Sequence, residues 1–215
     1  MRILALAACG LALSACATDP NSGQAIFGNT ARGAAIGALG GAAVGVLAGG
    51  DDGRNAAVGA AVGAIAGAGV GRYMDQQEAD LRKATTASGV TLVRNGDQIE
   101  LRMPADITFA KGSADIQPQF HTVLNDVATI LTRYPSTTID VVGHASTEGS
   151  DSFNMTLSEQ RAQSFASYLR NRGVQPVRIA AYGRGETQPL IAPEQSEADR
   201  SVNRRVQVVL NPVVQ

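Results

Sequence analysis

Glycine recurs at every fourth residue across Gly33, Gly37, Gly41, Gly45 and Gly49, and again, after a polar break, across Gly59, Gly63, Gly67 and Gly71. A spacing of three would suit a collagen-like triple helix, whereas a spacing of four stacks the glycines along one ridge of an α-helix. Around that ridge lie Ile36, Leu39, Val44, Val46 and Leu47 in the first run and Val58, Val62, Ile65 and Val70 in the second; Gly49-Gly50-Asp51-Asp52-Gly53 is the turn between them. Each interior glycine costs a helix about 1 kcal/mol relative to alanine, so five on one ridge cost roughly 5 kcal/mol. Close backbone approach between two such helices offsets that cost through dispersion contacts and Cα–H hydrogen bonds. The repeat therefore predicts a glycine-rich helical hairpin over 33–71, built to pack on itself or on a second copy.

Its relation to a membrane has three open readings. Gly33 to Gly50 is eighteen residues without a charge, about 27 Å of helix, which is long enough to span. Alanine and glycine, however, contribute little to insertion compared with Leu, Ile, Val and Phe. A spanning hairpin, a self-associating layer at a membrane surface and a disordered segment all fit this composition.

The first fifteen residues read as an export signal: Arg2 is the positive start, and Ile3 to Leu13 is an apolar run too short to cross a bilayer. Leu13-Ser14-Ala15-Cys16 resembles a bacterial lipobox. That resemblance implies cleavage before Cys16, acylation of its thiol and amino group, and an anchor in the lipid of the outer membrane, with the soluble part facing the periplasm. A plain secretory signal with an accidental cysteine is the alternative. Two acyl chains convert marginal membrane binding into stable anchoring. Cys9 would leave with the signal, so no cysteine pair remains and an ordinary hydrophobic core must hold the fold. Residues 16–32 are then the lipidated tether.

After the glycines, 72–89 turns polar and reads as a linker or solvated stalk. From 90 to 215 the pattern is that of a folded domain. Val90 to Arg94 and Gln98 to Met103 alternate around Asn95-Gly96, a hairpin signature. Phe120, Val123, Leu124, Val127, Ile130 and Leu131 make one helical face within Gln117 to Arg133, and Pro135 ends it. Thr138 to Gly143 reads as a strand. Thr156-Leu157-Ser158-Glu159 reads as a capping box opening a helix that runs to Gly173, and strands follow at Arg178 to Tyr182 and Val206 to Leu210. Strands alternating with helices at these lengths predict an α/β (α+β) two-layer sandwich.

Several motifs occur together in this domain: Phe109 to Ile116 (FAKGSADI), Gly143-His144, Asn154, Leu157-Ser158, Arg161-Ala162 and Asn203-Arg204-Arg205. As a set, over roughly Leu92 to Pro212, they resemble the OmpA-like peptidoglycan-binding module, and the glycine repeat resembles zipper regions found beside such modules. The resemblance implies a β-α-β-α-β sandwich that binds the diaminopimelate of the peptidoglycan stem peptide without covalent chemistry, metal or cofactor. It assigns the carboxylate grip to Arg161, a second site arginine to Arg204, a polar residue near the ligand to Asn154 and a first-loop position to Gly112. At the position where the family carries an aspartate for the ligand ammonium, this chain has Ser146. Hydrogen bonds to charged groups contribute about 1.5–3 kcal/mol against roughly 1 for neutral pairs, so the change predicts affinity lower by about tenfold. Glu148 or Asp151 could return a carboxylate to that loop.

The bland alternatives are that Arg161 pairs with Glu159 as a fold determinant and that Arg204-Arg205 closes the sheet edge. His144 reads as a packed strand residue, since the only other histidine, His121, is on a different helix. Asp140, His144 and Ser146 fall on one strand face, but such tight local spacing is not that of a hydrolytic triad. A net charge of −1 gives no electrostatic case for nucleic acid. Two functions stay in play: a lipoprotein tethering the outer membrane to the cell wall, and a glycine-zipper oligomer or pore that the C-terminal domain merely localises.

Overall fold

The computed structural model describes residues 69–110 and 112–214. The export signal, Cys16 and the zipper hairpin as far as residue 68 lie outside the described residues. Five strands form one sheet: β1 (Thr91–Asn95), β2 (Gln98–Pro104), β3 (Thr137–His144), β4 (Ile179–Gly183) and β5 (Arg205–Pro212), in the order β1-β2-β5-β3-β4. Only β3 and β4 are parallel, and α4 (Asp151–Asn171) is the crossover that a parallel pair requires. β1 and β2 join through the two-residue loop Gly96-Asp97, one residue later than the Asn-Gly dipeptide suggests. Gly96 takes the positive φ of +60° that the first position of such a loop demands.

Alternate residues of the central strands face the helices: Ile99, Leu101 and Met103 of β2, Val206, Val208 and Leu210 of β5, and Ile139 and Val141 of β3, all completely buried. Against them pack Leu124, Val127 and Leu131 of α3 (His121–Arg133) and Phe165, Ala166 and Leu169 of α4. The expected two-layer sandwich is the one observed.

Two sequence expectations need correction. The stretch 72–89, read as a polar linker or a solvated extension of the second zipper helix, is neither: together with Val70 and Gly71 its first part forms helix α1 (Val70–Ala84), which packs into the folded domain. Val70, Met74, Gln77 and Leu81, spaced four, three and four, form a buried stripe that the polar composition concealed. Tyr73 Oη accepts the Ser136 amide at 2.9 Å, and Asp80 accepts Tyr134 Oη at 2.9 Å and Arg133 at 3.1 Å. The capping box at Thr156 is likewise absent, because α4 starts five residues earlier. Ser150 is its cap, accepting the Phe153 amide after a glycine with φ +99°, while Thr156 lies inside the helix and donates to Ser152 O. A capping box does occur at α5 (Glu197–Asn203), between Ser196 and Asp199.

Candidate functional site

Two glycines determine where α4 lies. Gly143 of β3 and Gly183 of β4 are register partners. A Cβ on Gly143 would stand 1.9 Å from Ser158 O, and one on Gly183 would stand 2.5 Å from both Glu159 N and Ser158 Oγ. Only bare α-carbons let the helix backbone rest there. Ser158 Oγ fixes the contact by accepting the Gly185 amide at 2.9 Å.

The buried face of α4 then changes character along its length. Phe165, Ala166 and Leu169 serve the core, whereas Asn154, Ser158 and Arg161, one stripe at helical spacing, are buried and polar. Arg161 is only 5% exposed. Its Nε donates to Ser113 O at 3.0 Å, and its guanidinium lies 5.4 Å from the centroid of the Phe109 ring. Ser113 is presented by the turn that the Phe109–Ile116 bridge closes, in which Gly112 has φ +68°. Among the described residues nothing else bonds the guanidinium, and no carboxylate, Glu159 included, forms an ion pair with it. Burial pulls its pKa below the ordinary arginine value, with Asp106 opposing the shift.

Arg161, Arg204, Ser146, Asn154 and Gly112, named from widely separated motifs, all line one cavity of about 690 Å³. Phe109, the first residue of the FAKGSADI motif, lines it too, and the sequence missed Asp106, Glu197 and Phe153, which join it there. Asp106 sits on the short helix α2 (Ala105–Thr108), and its partner Arg204 is 98 residues away in the chain, a pairing that no local pattern announces.

The five expected residues differ in what their side chains are free to do. Arg204 is held by three carboxylates, Asp106 at 3.2 Å, Glu148 at 3.2 Å and Glu197 at 2.5 Å. The Asp106 hydrogen bonds come first among the causes that raise its pKa well above the ordinary value. Burial alone would raise the Asp106 pKa, but its hydrogen bonds to Arg204 and Ser201 outweigh this and hold it below the usual range. Asn154 lies in the first turn of α4 rather than in a loop, and its amide ties Ser146 O at 3.0 Å and Glu186 at 2.7 Å, bracing the β3–α4 loop. Of the two carboxylates that could replace the missing aspartate, Glu148 lines the cavity, whereas Asp151, at the start of α4, is not among the lining residues.

His144 is 1% exposed, and among the described residues neither ring nitrogen reaches hydrogen-bonding geometry with a partner, although the nearby Gln207 side chain favours the protonated ring, so it makes no relay with Ser146 or Asp140. Asp140 instead accepts from Asn211 at 3.1 Å. Burial, helped by the Arg205 charge, lowers the His144 pKa to about 4. Arg205 hydrogen-bonds Asn203 O and Gln188 O rather than the cavity. Among the described residues no helix is long and apolar enough to cross a membrane.

Known proteins share this fold. The OmpA family model matches residues 108–204, and a YMGG-like Gly-zipper model matches residues 1–75. Probable lipoprotein YiaD of Escherichia coli (strain K12) is 41% identical over 213 residues, 98% of this chain and 97% of that one. The peptidoglycan-binding protein ArfA of Mycobacterium tuberculosis (strain ATCC 25618 / H37Rv) is 37% identical over 105 residues, which are 49% of this chain and 32% of ArfA. In structure, a MotB-like protein from Desulfovibrio vulgaris superposes with a TM-score of 0.58 at 27% identity, over 66% of this chain and 92% of that one.

Proposed function

This chain belongs to the OmpA family, and on that premise we propose that its C-terminal domain binds peptidoglycan, gripping a stem-peptide carboxylate of diaminopimelate with Arg161. The observation that carries the reading is a buried guanidinium whose terminal nitrogens have no partner among the described residues and which lines an open cavity. A guanidinium keeps its charge at any physiological pH and presents a planar donor fork that a carboxylate can meet with both oxygens. The cavity's neutral and aromatic neighbours, Ser146, Phe109 and Phe153, suit a peptide. Nothing in the proposed role requires bond making, so the domain acts as a binding module rather than an enzyme.

With Cys16 acylated in the outer membrane, such a domain tethers that membrane to the wall from the periplasmic side. The lipobox-like sequence and the YiaD relationship support this arrangement. Sedimentation of the lipidated full-length protein with purified sacculi tests it. Arg161→Ala is expected to weaken binding about a hundredfold, the loss of two charge-assisted hydrogen bonds, and undiminished binding would overturn the reading. The Gly-zipper match over 1–75 favours a second role in self-association. Deleting residues 36–68, which leaves α1 whole, is expected to abolish oligomers while sparing sacculus binding.

A further inference from the structure

Ser146 carries no charge, so the proposed site needs another group if it is to meet the ammonium of an amino-acid ligand. Three carboxylates line the same cavity: Asp106, Glu148 and Glu197. Arg204 touches all three, and Arg200 touches Glu148 and Glu197, so three negative charges face two guanidinium groups. Their side chains are 49%, 58% and 63% exposed, whereas Arg161 is buried with its terminal nitrogens unpartnered among the described residues. The cavity thus has a cationic floor and a rim with an excess of negative charge, the complement of a zwitterion.

The three acids are not equally committed. Asp106 receives Arg204 through both Nε and a terminal nitrogen, and Ser201 Oγ at 2.8 Å. Glu197 holds Arg204 at 2.5 Å and Arg200 at 2.9 Å. Glu148 has the longest contacts, 3.2 Å to Arg204 and 3.5 Å to Arg200. The two residues before it, by contrast, are anchored. Thr147 donates its amide and hydroxyl to Glu194 at 3.1 and 2.7 Å, and Ser146 O is held by Asn154.

Resting on the reading that Arg161 binds a stem-peptide carboxylate, we propose that Glu148 is a specificity-determining residue that receives the ligand's ammonium, exchanging its ion pair with Arg204 for one with the ligand. Arg204 keeps Asp106 and Glu197 through the exchange, so no guanidinium is left without a partner. Glu148 lies two residues beyond Ser146 and does from the rim what a charged side chain at 146 would do from the strand end.

Calorimetric titration of the full chain in detergent micelles tests this with two peptides, N-acetyl-L-Ala-γ-D-Glu-meso-diaminopimelate and the same peptide acetylated on its diaminopimelate amine. The unaltered protein is expected to prefer the free amine by about tenfold, as expected for a charged rather than a neutral hydrogen bond. Glu148→Gln is expected to reduce that preference to about twofold or less while leaving affinity for the acetylated peptide unchanged, and Glu197→Gln is expected to retain it. Equal binding of the two peptides by the unaltered protein, or an undiminished preference in Glu148→Gln, overturns the assignment and leaves Arg161 as the carboxylate grip. Failure of the unaltered protein to bind either peptide overturns the assignment together with the reading beneath it.

Discussion

Arg178 and Arg161 are both almost wholly buried, at 1% and 5% exposure, and the protein treats them in opposite ways. Arg178 donates through Nε to Thr137 O, through one terminal nitrogen to Leu131 O, and through the other to Tyr134 O and Thr137 Oγ1, all within 2.9 Å. It ties the end of α3 to the start of β3. Arg161 makes a single hydrogen bond, and its remaining donors line a cavity. Burial lowers both pKa values, that of Arg178 to about 10. Burial of a charge alone therefore does not separate a structural group from a binding group, but the number of its donors that the fold satisfies does.

Replacements rank this contrast by their effect on stability. The largest effect is expected for Arg178→Leu. It withdraws the donors of Leu131 O and Thr137 O, each costing about 1–3 kcal/mol when buried and unsatisfied, and leaves Tyr134 O only the Thr137 hydroxyl at 3.4 Å. Chemical denaturation should show a loss of at least about 4 kcal/mol, and a loss below about 1 kcal/mol would break the comparison. Gly143→Ala comes next. The added methyl cannot coexist with Ser158 O at 1.9 Å, so α4 must lift, at a cost of about 3 kcal/mol, and Arg161 moves with it. Sacculus binding should fall even at temperatures where the variant stays folded.

His144 is a third buried ionisable group, and it solves the problem by staying neutral. Its folded pKa of about 4 is below the ordinary 6.5. The unfolded chain therefore takes up a proton first as pH falls. Stability is unaffected by this group above pH 6.5, declines between 6.5 and about 4, and levels off below, for a total of about 3 kcal/mol. In His144→Phe, denaturation midpoints across that window should lose the histidine component of the slope. Arg161→Leu should have the smallest stability effect, within about 1 kcal/mol of the parent, while binding to sacculi falls about a hundredfold. A large loss of stability there would make Arg161 another Arg178.

The sequence shows the strands, the long helices and the motif arginines because each has a local signature: alternation in β2, a helical face over 120–131, a glycine before His144. It also names five residues that converge on one cavity. It does not show which of them the fold has already engaged. Arg204 reads as a second ligand group, yet it holds Asp106 from another segment and Glu148 from another loop. Asn154 reads as a ligand neighbour and turns out to brace Ser146. The Arg204 contacts join residues 56 and 98 positions apart and the Asn154 contacts residues eight and 32 apart, separations to which periodicity and capping rules are blind. The burial of helix α1 was hidden for the opposite reason: its five buried residues are outnumbered by charged ones, so composition outweighed spacing. At Thr156 a genuine motif pattern fell inside a helix, where the hydroxyl bonds back to Ser152 O and caps nothing.

The seat of α4 on Gly143 and Gly183 has an evolutionary corollary. Because the helix backbone itself rests on the two α-carbons, and Ser158 Oγ is the one side chain that joins it there, the seat leaves drift little to lengthen, shorten or recharge, and the arginine one turn further on keeps its address. The loops around it are under no such constraint. On the proposed function, changes at loop positions such as 146 would retune which peptides the domain prefers, while the carboxylate grip stays in place.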